Sequence, residues 1–236
     1  PYTDAGPSDA RELAAGLATG VAYLRALTDH GLTLSEALGS LAFTLTADAD
    51  QFLTMARFRA GRRLWARVAE ASGAELQDRA PRQHALTSAV MLTRWDPWVN
   101  MLRSTVAAFA AGTGGADSVT VRPFDSALGR PDEFGRRTAR NLQLVLLEES
   151  GLAKVIDPAG GSWYVEDLTQ RLAVEAWERF RGIEAGGGMA TALASGRLAE
   201  EAGACWTERV GRLADLSESV TGVSEFPNID EVLLER

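Results

Sequence analysis

The stretch Arg82-Gln83-His84-Ala85-Leu86-Thr87-Ser88 gathers a guanidinium, an imidazole and two hydroxyls in one short run. Along a strand of an α/β fold, or in the loop that follows it, such groups can face a ligand. The plainer reading leaves Arg82 and His84 in solvent and makes Thr87 and Ser88 ordinary strand residues. On chemistry alone it has the advantage, because His84 has no partner close in sequence. Asp96 has the chemistry of a general acid, yet an N-cap role before Pro97 accounts for it. Glu148-Glu149 falls at the end of a helical pattern, where the macrodipole disfavours anions by about 0.3–1 kcal/mol. The pair is therefore a candidate site group, although a solvated helix face explains it equally well. Gly112-Thr113-Gly114-Gly115 follows a helix and precedes a strand, whereas phosphate cradles precede a helix, so it reads as a helix-ending loop. Dinucleotide, P-loop, zincin, serine-hydrolase and EF-hand spacings are absent from the sequence.

The elements that must carry these groups follow from periodicity. A helix is expected over Asp9–Asp29, with Asp9 and Glu12 at capping-box spacing and Leu13, Leu17, Val21, Leu24 and Leu27 on one face. A strand is expected at Leu41–Leu45, then a helix over Ala49–Glu70 that places Phe52, Met55, Phe58 and Leu64 on one side. Ala85–Leu92 has strand length and composition. Asp96-Pro97 opens a helix carrying Trp98, Met101, Leu102, Thr105 and Phe109, which stops at Gly112. Ser118–Val121 is a β-branched strand, and a helix follows over Asp132–Ser150 with Gly151 as its left-handed cap. Lys154–Ile156 and Trp163–Val165 read as a small excursion around the turn at Asp157–Gly161. Helices over Leu168–Glu184 and Ala199–Leu213, separated by Gly186-Gly187-Gly188, complete the chain, and Pro227 ends the ordered region. Strands that alternate with helices imply parallel pairing through crossovers. Three strands cannot close a barrel, so pattern alone leaves two architectures equally open: part of a barrel, or a small open α/β sheet.

Composition narrows the function classes. The chain has 236 residues, 46% hydrophobic and 24% charged, with a formal net charge of -8, enough for one sizeable core or two small ones. No apolar run approaches the roughly 20 residues of a membrane span. An acidic balance argues against a nucleic-acid partner. Cys205, the only cysteine, excludes an intramolecular disulfide and, on an apparent helix, reads as buried and inert. His30 and His84 are too few and too far apart for a metal cluster. Trp95, Trp98, Trp163, Trp177 and Trp206 read as packing or interface anchors. The N-terminal residues carry no signal-peptide pattern and no initiator Met, so the expectation is a cytoplasmic segment of a longer product.

A family resemblance adds to this reading. Arg82, His84, Thr87, Ser88, Leu92, Thr93, Asp96, Pro97 and Asn100 match, without a gap, a stretch of the adenosylcobalamin-dependent methylmalonyl-CoA mutases. Phe134–Gly151, with Ala139-Arg140-Asn141-Leu142-Gln143-Leu144 at its centre, resembles the same family's F-S-A-R-I-A-R-N-T-Q-L helix. Asp157-Pro158, Gly161-Ser162, Tyr164-Val165-Glu166, Gly187-Gly188-Met189-Ala190 and Gly222–Pro227 follow in the family's order. The resemblance runs from Asp4 to Pro227. It implies the C-terminal part of a (β/α)8 barrel, about three βα units plus the preceding helix, with a C-terminal helical extension. The implied division is 1–151 for the barrel part, 152–228 for the extension and 229–236 for a tail.

Departures from the family pattern carry the finer expectation. Catalytic members have a G-Y-H-M-Q-E-A-G stretch before the first helix; here Pro1 stands at its His, Thr3 at its Gln and Asp4 at its Glu. Ala85, Leu86, Ala89 and Val90 replace Ser, Gln, Gly and Trp. On the last strand Asp117, Thr120 and Arg122 stand where the family has Gln, His and Asn. Polar groups are thus lost on the ligand side while helix motifs survive, which resembles the family's non-catalytic small subunit. The resemblance implies no catalytic residue and no metal ligand in this chain. It leaves Arg82, His84, Thr87 and Ser88 as vestigial substrate positions, and Asp117 and Glu149 as vestigial cofactor positions. Adenosylcobalamin and the CoA ester belong to the assembled enzyme. The implied partners are the catalytic large subunit and the missing N-terminal half of the barrel, with no nucleic acid and no membrane. Two alternatives stay open: a catalytic acyl-CoA mutase domain, and an unrelated α/β binding module.

Overall fold

Alternation of β-branched runs with amphipathic helices produces a three-stranded parallel sheet in the computed structural model, which describes residue 4 and residues 9–234. Strands β1 (Ala42–Ala47), β2 (Arg82–Thr87) and β3 (Ser118–Thr120) lie side by side in chain order. Their register pairs Thr44 with His84 and His84 with Ser118. Helix α3 (Gln51–Ala71) crosses from β1 to β2 and α4 (Val99–Thr113) from β2 to β3, as parallel neighbours require. Helices α1 (Asp9–Asp29) and α2 (Leu34–Gly39) precede the sheet. Helices α5 (Glu133–Leu144), α6 (Trp163–Ala185), α7 (Gly188–Ala194) and α8 (Arg197–Ala214) follow it.

Among the described residues, only one face of the sheet is packed. Leu45 and Ala85 lie in the main core with Leu13, Leu17, Val21 and Leu24 of α1 and Phe58, Leu64 and Trp65 of α3. Leu172, Ala176, Phe180 and Ile183 of α6 belong to the same core. Phe43 meets Trp65 edge to face, with ring centroids 4.7 Å apart. Close approach of α3 to the sheet depends on Gly61, where a Cβ would lie 2.6 Å from Gln83 Nε2. Period-2 alternation sends the other set of residues to the opposite face: Thr44, Arg82, His84, Leu86, Ser118 and Thr120 are exposed or half-buried.

Several boundaries differ from the sequence reading, each for a local reason. The second strand starts at Arg82 and ends at Thr87, because Ser88 Oγ takes the Val90 amide and the chain turns, with Leu92 N donating to Ala89 O. Asp96 does not cap α4. It sits at φ 45°, and with Pro97 it forms a tight turn whose carbonyl accepts from Val99 N. The α4 core face is small: Ala107, Ala108, Ala110 and Ala111 are buried while Trp98, Leu102 and Phe109 are exposed, since the helix lies close to α3. Phe52 likewise points outward, onto Tyr164. Lys154–Ile156 and Trp163–Val165 are not strands. Leu152–Lys154 is a short helical turn and Trp163 begins α6, with Arg59 holding Asp157 and Glu166 together across the loop. Order continues past Pro227: Glu231 accepts a hydrogen bond from Asp96 N at 2.8 Å. Of the tryptophans, Trp65 is the one fully buried, whereas Trp163 is 93% exposed.

Candidate functional site

In parallel α/β sheets, ligand chemistry collects beyond the carboxyl ends of the strands. Here those ends are Asp48 after β1, Ser88 after β2 and Arg122 after β3. Two groups of charged residues occupy them.

The first spans β2 and β3. Arg122 N donates to Thr87 Oγ1 at 2.8 Å and Arg122 Nε donates to Thr87 O at 2.9 Å. Its Nη2 reaches Asp4 Oδ2 at 3.1 Å, and Asp4 Oδ1 accepts from Ala89 N at 3.2 Å. The backbone and side chain of Arg122 thus hold Thr87, and Asp4 bridges the two strand ends.

The second surrounds Arg57, whose side chain is 1% exposed. Its guanidinium donates to Asp48 Oδ2 at 2.8 Å, pairs with Asp9, lies 3.7 Å from Glu12 Oε2 and donates to Thr46 O. Glu12 in turn accepts from Thr46 N at 3.2 Å and from Thr46 Oγ1 at 2.7 Å. Spacing that reads as a capping box therefore carries an ion network. Three carboxylates face one buried cation. Burial, reinforced by the neighbouring Asp50 carboxylate, pushes Asp48 up to about 6. Burial also lowers Arg57 to about 9, which leaves it protonated at neutral pH. A cavity of about 670 Å³ opens beside this network under α8, with Ser88, Cys205 and Arg209 in its wall.

The residues singled out in the sequence are divided among several places. Thr87 and Ser88 reach the carboxyl end, both buried, with Thr87 held by Arg122 and Ser88 N donating to Ala47 O at 2.7 Å. Arg82 lies at the opposite end of β2 and donates to Gly39 O. His84 is on the unpacked face, its Nδ1 2.8 Å from Ser118 Oγ. Asp117 precedes β3 and its carboxylate accepts from Gln83 N at 2.7 Å. Glu149 is exposed in the π-turn Val145–Glu149 that ends α5. Pro1 and Thr3 lie outside the described residues. Sequence reasoning missed Asp48, Arg57 and the Asp4–Arg122 contact. Nothing local marked Arg57, which shares the stretch Met55–Ala60 with Arg59 and is followed closely by Arg62 and Arg63.

Cys205 accepts a hydrogen bond from Arg11 Nη1 at 3.0 Å. Among the described residues no helix is long and apolar enough to cross a membrane.

Comparison with known proteins agrees with the motif order. The profile of the family described as methylmalonyl-CoA mutase matches residues 1–235. The chain is 59% identical over 236 residues to the methylmalonyl-CoA mutase small subunit of Streptomyces virginiae, covering 100% of this chain and 38% of that protein. It is 48% identical over 229 residues to the small subunit of Propionibacterium freudenreichii subsp. shermanii, covering 97% and 36%. With the methylmalonyl-CoA mutase of Rhizobium meliloti it shares 38% identity over 227 residues, covering 94% and 32%. It therefore spans about a third of the length of these relatives. An unrelated binding module is excluded: the chain belongs to the methylmalonyl-CoA mutase family.

Proposed function

We propose that this chain is the C-terminal part of a (β/α)8 barrel in a methylmalonyl-CoA mutase, and that it serves there as the non-catalytic small subunit. In this reading it packs against a catalytic large subunit, which interconverts methylmalonyl-CoA and succinyl-CoA. The observation that carries the reading is the Asp4–Arg122 bridge. By the resemblance, both residues stand at positions that are Glu and Asn in catalytic members. Here they bond each other and fasten Thr87 and Ala89 across the strand ends. A ligand end filled by the protein's own ion pair suits a barrel kept for packing.

The bare face of the sheet supports the barrel. All-parallel sheets are normally covered on both sides, whereas here Thr44, His84, Leu86, Ser118 and Thr120 look outward. Strands from the remaining length of the relatives would turn that face into a barrel interior. Residues 1–151 then form the barrel part, 152–228 the helical extension and 229–236 the tail. Arg82, His84, Thr87 and Ser88 are remnants of a substrate wall.

Adenosylcobalamin supplies radical chemistry to this family when bound. The residues of this chain do not suit a corrin, because the Asp117 carboxylate is turned onto the Gln83 amide and Glu149 is exposed on a different element. No reaction step is assigned to them. The cofactor and the CoA ester reside on the large subunit, and the assembly is cytoplasmic. The test is cobalamin-dependent isomerisation by the full-length protein with and without the large subunit. Activity only with the partner is expected, and turnover by the protein alone overturns the reading.

A further inference from the structure

Strained backbone in this chain gathers around the segment that follows α8. Among the described residues, those other than glycine with a positive φ are Asp96 (45°), Asp157 (48°), Leu216 (63°) and Phe226 (51°). Leu216 and Phe226 bracket a compact turn, and Asp96 is its seat. A left-handed conformation is costly for a bulky side chain and persists only where other contacts impose it. Burial does not repay that cost, since Leu216 is 59% and Phe226 85% exposed. Between them the chain bonds largely to itself. Val220 O accepts from the amides of Val223, Ser224 and Glu225, and Gly222 N donates to Glu225 O at 2.7 Å. Val220 N donates to Ser224 Oγ at 2.8 Å. The contacts that fix this turn to the rest of the fold are few. Glu218 pairs with Arg209 and Arg212 of α8, and Arg103 Nη2 donates to Thr221 O at 2.6 Å. Gly222 rests on Asp96, where an added Cβ would lie 2.8 Å from the Asp96 Cβ. Among the described residues, those of 217–225 are exposed or half-buried apart from Gly222.

The geometry points to residues 217–225 as a flap that swings as a unit on Leu216 and Phe226 and controls access to the cavity at the strand ends. Glu218 and Ser219 border two spaces at once. One is the cavity beside Arg57, and the other is a groove of about 690 Å³ between α4 and α8, lined by Val99, Leu102 and Trp206. Opening of the flap joins the two. Little apolar burial opposes release, and the bonds inside the turn survive it, which is the signature of a segment that opens at low cost. Strain at the two hinges favours the open state, whereas Arg103, the Glu218 pairs and the fit of Gly222 on Asp96 favour the closed one. Beyond the second hinge, the Glu231 carboxylate holds Asp96 N and tethers the chain close to the seat.

Cys205 lines the cavity but not the groove, so its reactivity reports the opening. The test uses the full-length protein, a maleimide as the probe, and mass spectrometry of the peptide that carries Cys205. Gly222→Ala drives the turn off Asp96 and is expected to raise the Cys205 labelling rate about tenfold, the scale that overpacking sets. The amides of Val223 and Ser224 should meanwhile stay protected from exchange, because their bonds to Val220 O lie inside the flap. Leu216→Asn combined with Phe226→Asn acts in the opposite direction. Asparagine tolerates the left-handed region, so the closed state loses its strain and labelling should slow by about fivefold. This second variant tests the flap by itself if Gly222→Ala does not fold. A rate unchanged in both variants, or raised by the asparagines, overturns the proposal. So does loss of Val223 and Ser224 protection in step with Cys205 labelling, since the segment then unravels instead of swinging.

Discussion

Arg57→Met removes the buried cation from a cluster of three carboxylates without changing much side-chain volume. The loss includes the ion pairs to Asp9 and Asp48, the approach to Glu12 and the donor to Thr46 O. What remains is Asp9, Glu12 and Asp48 in a shielded site, with Glu12 3% exposed. Removing one partner of a buried pair costs about 3–5 kcal/mol, mostly as the penalty of the uncompensated charge left behind. For a chain of this length that corresponds to a fall in Tm of roughly 10 °C. The mechanism predicts a pH signature. As pH falls the orphaned carboxylates take up protons, so the penalty shrinks toward that of a cavity or an unmet carbonyl. Urea denaturation of wild type and variant at neutral pH and near pH 5 reads both quantities. A cost below about 1 kcal/mol at neutral pH, or an equal cost at both pH values, refutes the idea that the guanidinium is compensating buried charge.

Asp48 has a folded-state pKa of about 6 against an ordinary 3.8, so the folded protein binds its proton more tightly than the unfolded chain does. Its contribution to stability is fully present below the unfolded value and is lost as pH rises toward 6, by about 2–3 kcal/mol. Asp48→Asn should flatten that part of the stability–pH curve, and an unchanged slope in chemical denaturation counts against it. Gly61→Ala forces a methyl against Gln83 Nε2 and should destabilise by about 1–3 kcal/mol through overpacking, measured as a lower urea midpoint at unchanged slope. Arg122→Ala removes the guanidinium's bonds to Thr87 O and Asp4, leaving the backbone bond to Thr87 Oγ1 in place, and should cost about 1–2 kcal/mol in hydrogen bonding. Its effect on isomerisation by the assembled enzyme should be no larger than its effect on assembly, which titration of the large subunit with the variant separates.

Residues near one another in sequence were legible from the sequence. The α1 boundaries and its buried Leu13, Leu17, Val21 and Leu24 follow from a 3.6-residue period, and the third strand from its β-branched run. Asp132 caps α5 through Gly135 N at 2.7 Å, and Gly151 takes the left-handed conformation expected after it. The parallel order of the strands follows from the crossovers. Where the reading failed, composition pointed two ways. Ala89–Leu92 is as apolar as a strand, but the hydroxyl of Ser88 turns the chain first. The large residues of α4 look like a core face until neighbouring α3 leaves room only for alanine.

What the sequence by itself determined, then, is the six longer helices but not the short α2 and α7, together with the parallel topology and the collinear motifs that place the chain in its family. Tertiary structure alone decided where the charges meet. Asp4 and Arg122 are 118 positions apart, and Glu12 reaches Thr46 across 34. No local pattern encodes such a pairing, because it depends on how two helices and a strand end are brought together. It also decided that one face of the sheet is bare, since burial of a strand residue depends on what lies above it rather than on the residue itself. Arg82–Ser88, the stretch that looked richest in chemistry, is thereby divided: Thr87 and Ser88 turn toward the buried strand end, while Arg82 and His84 remain on the open side.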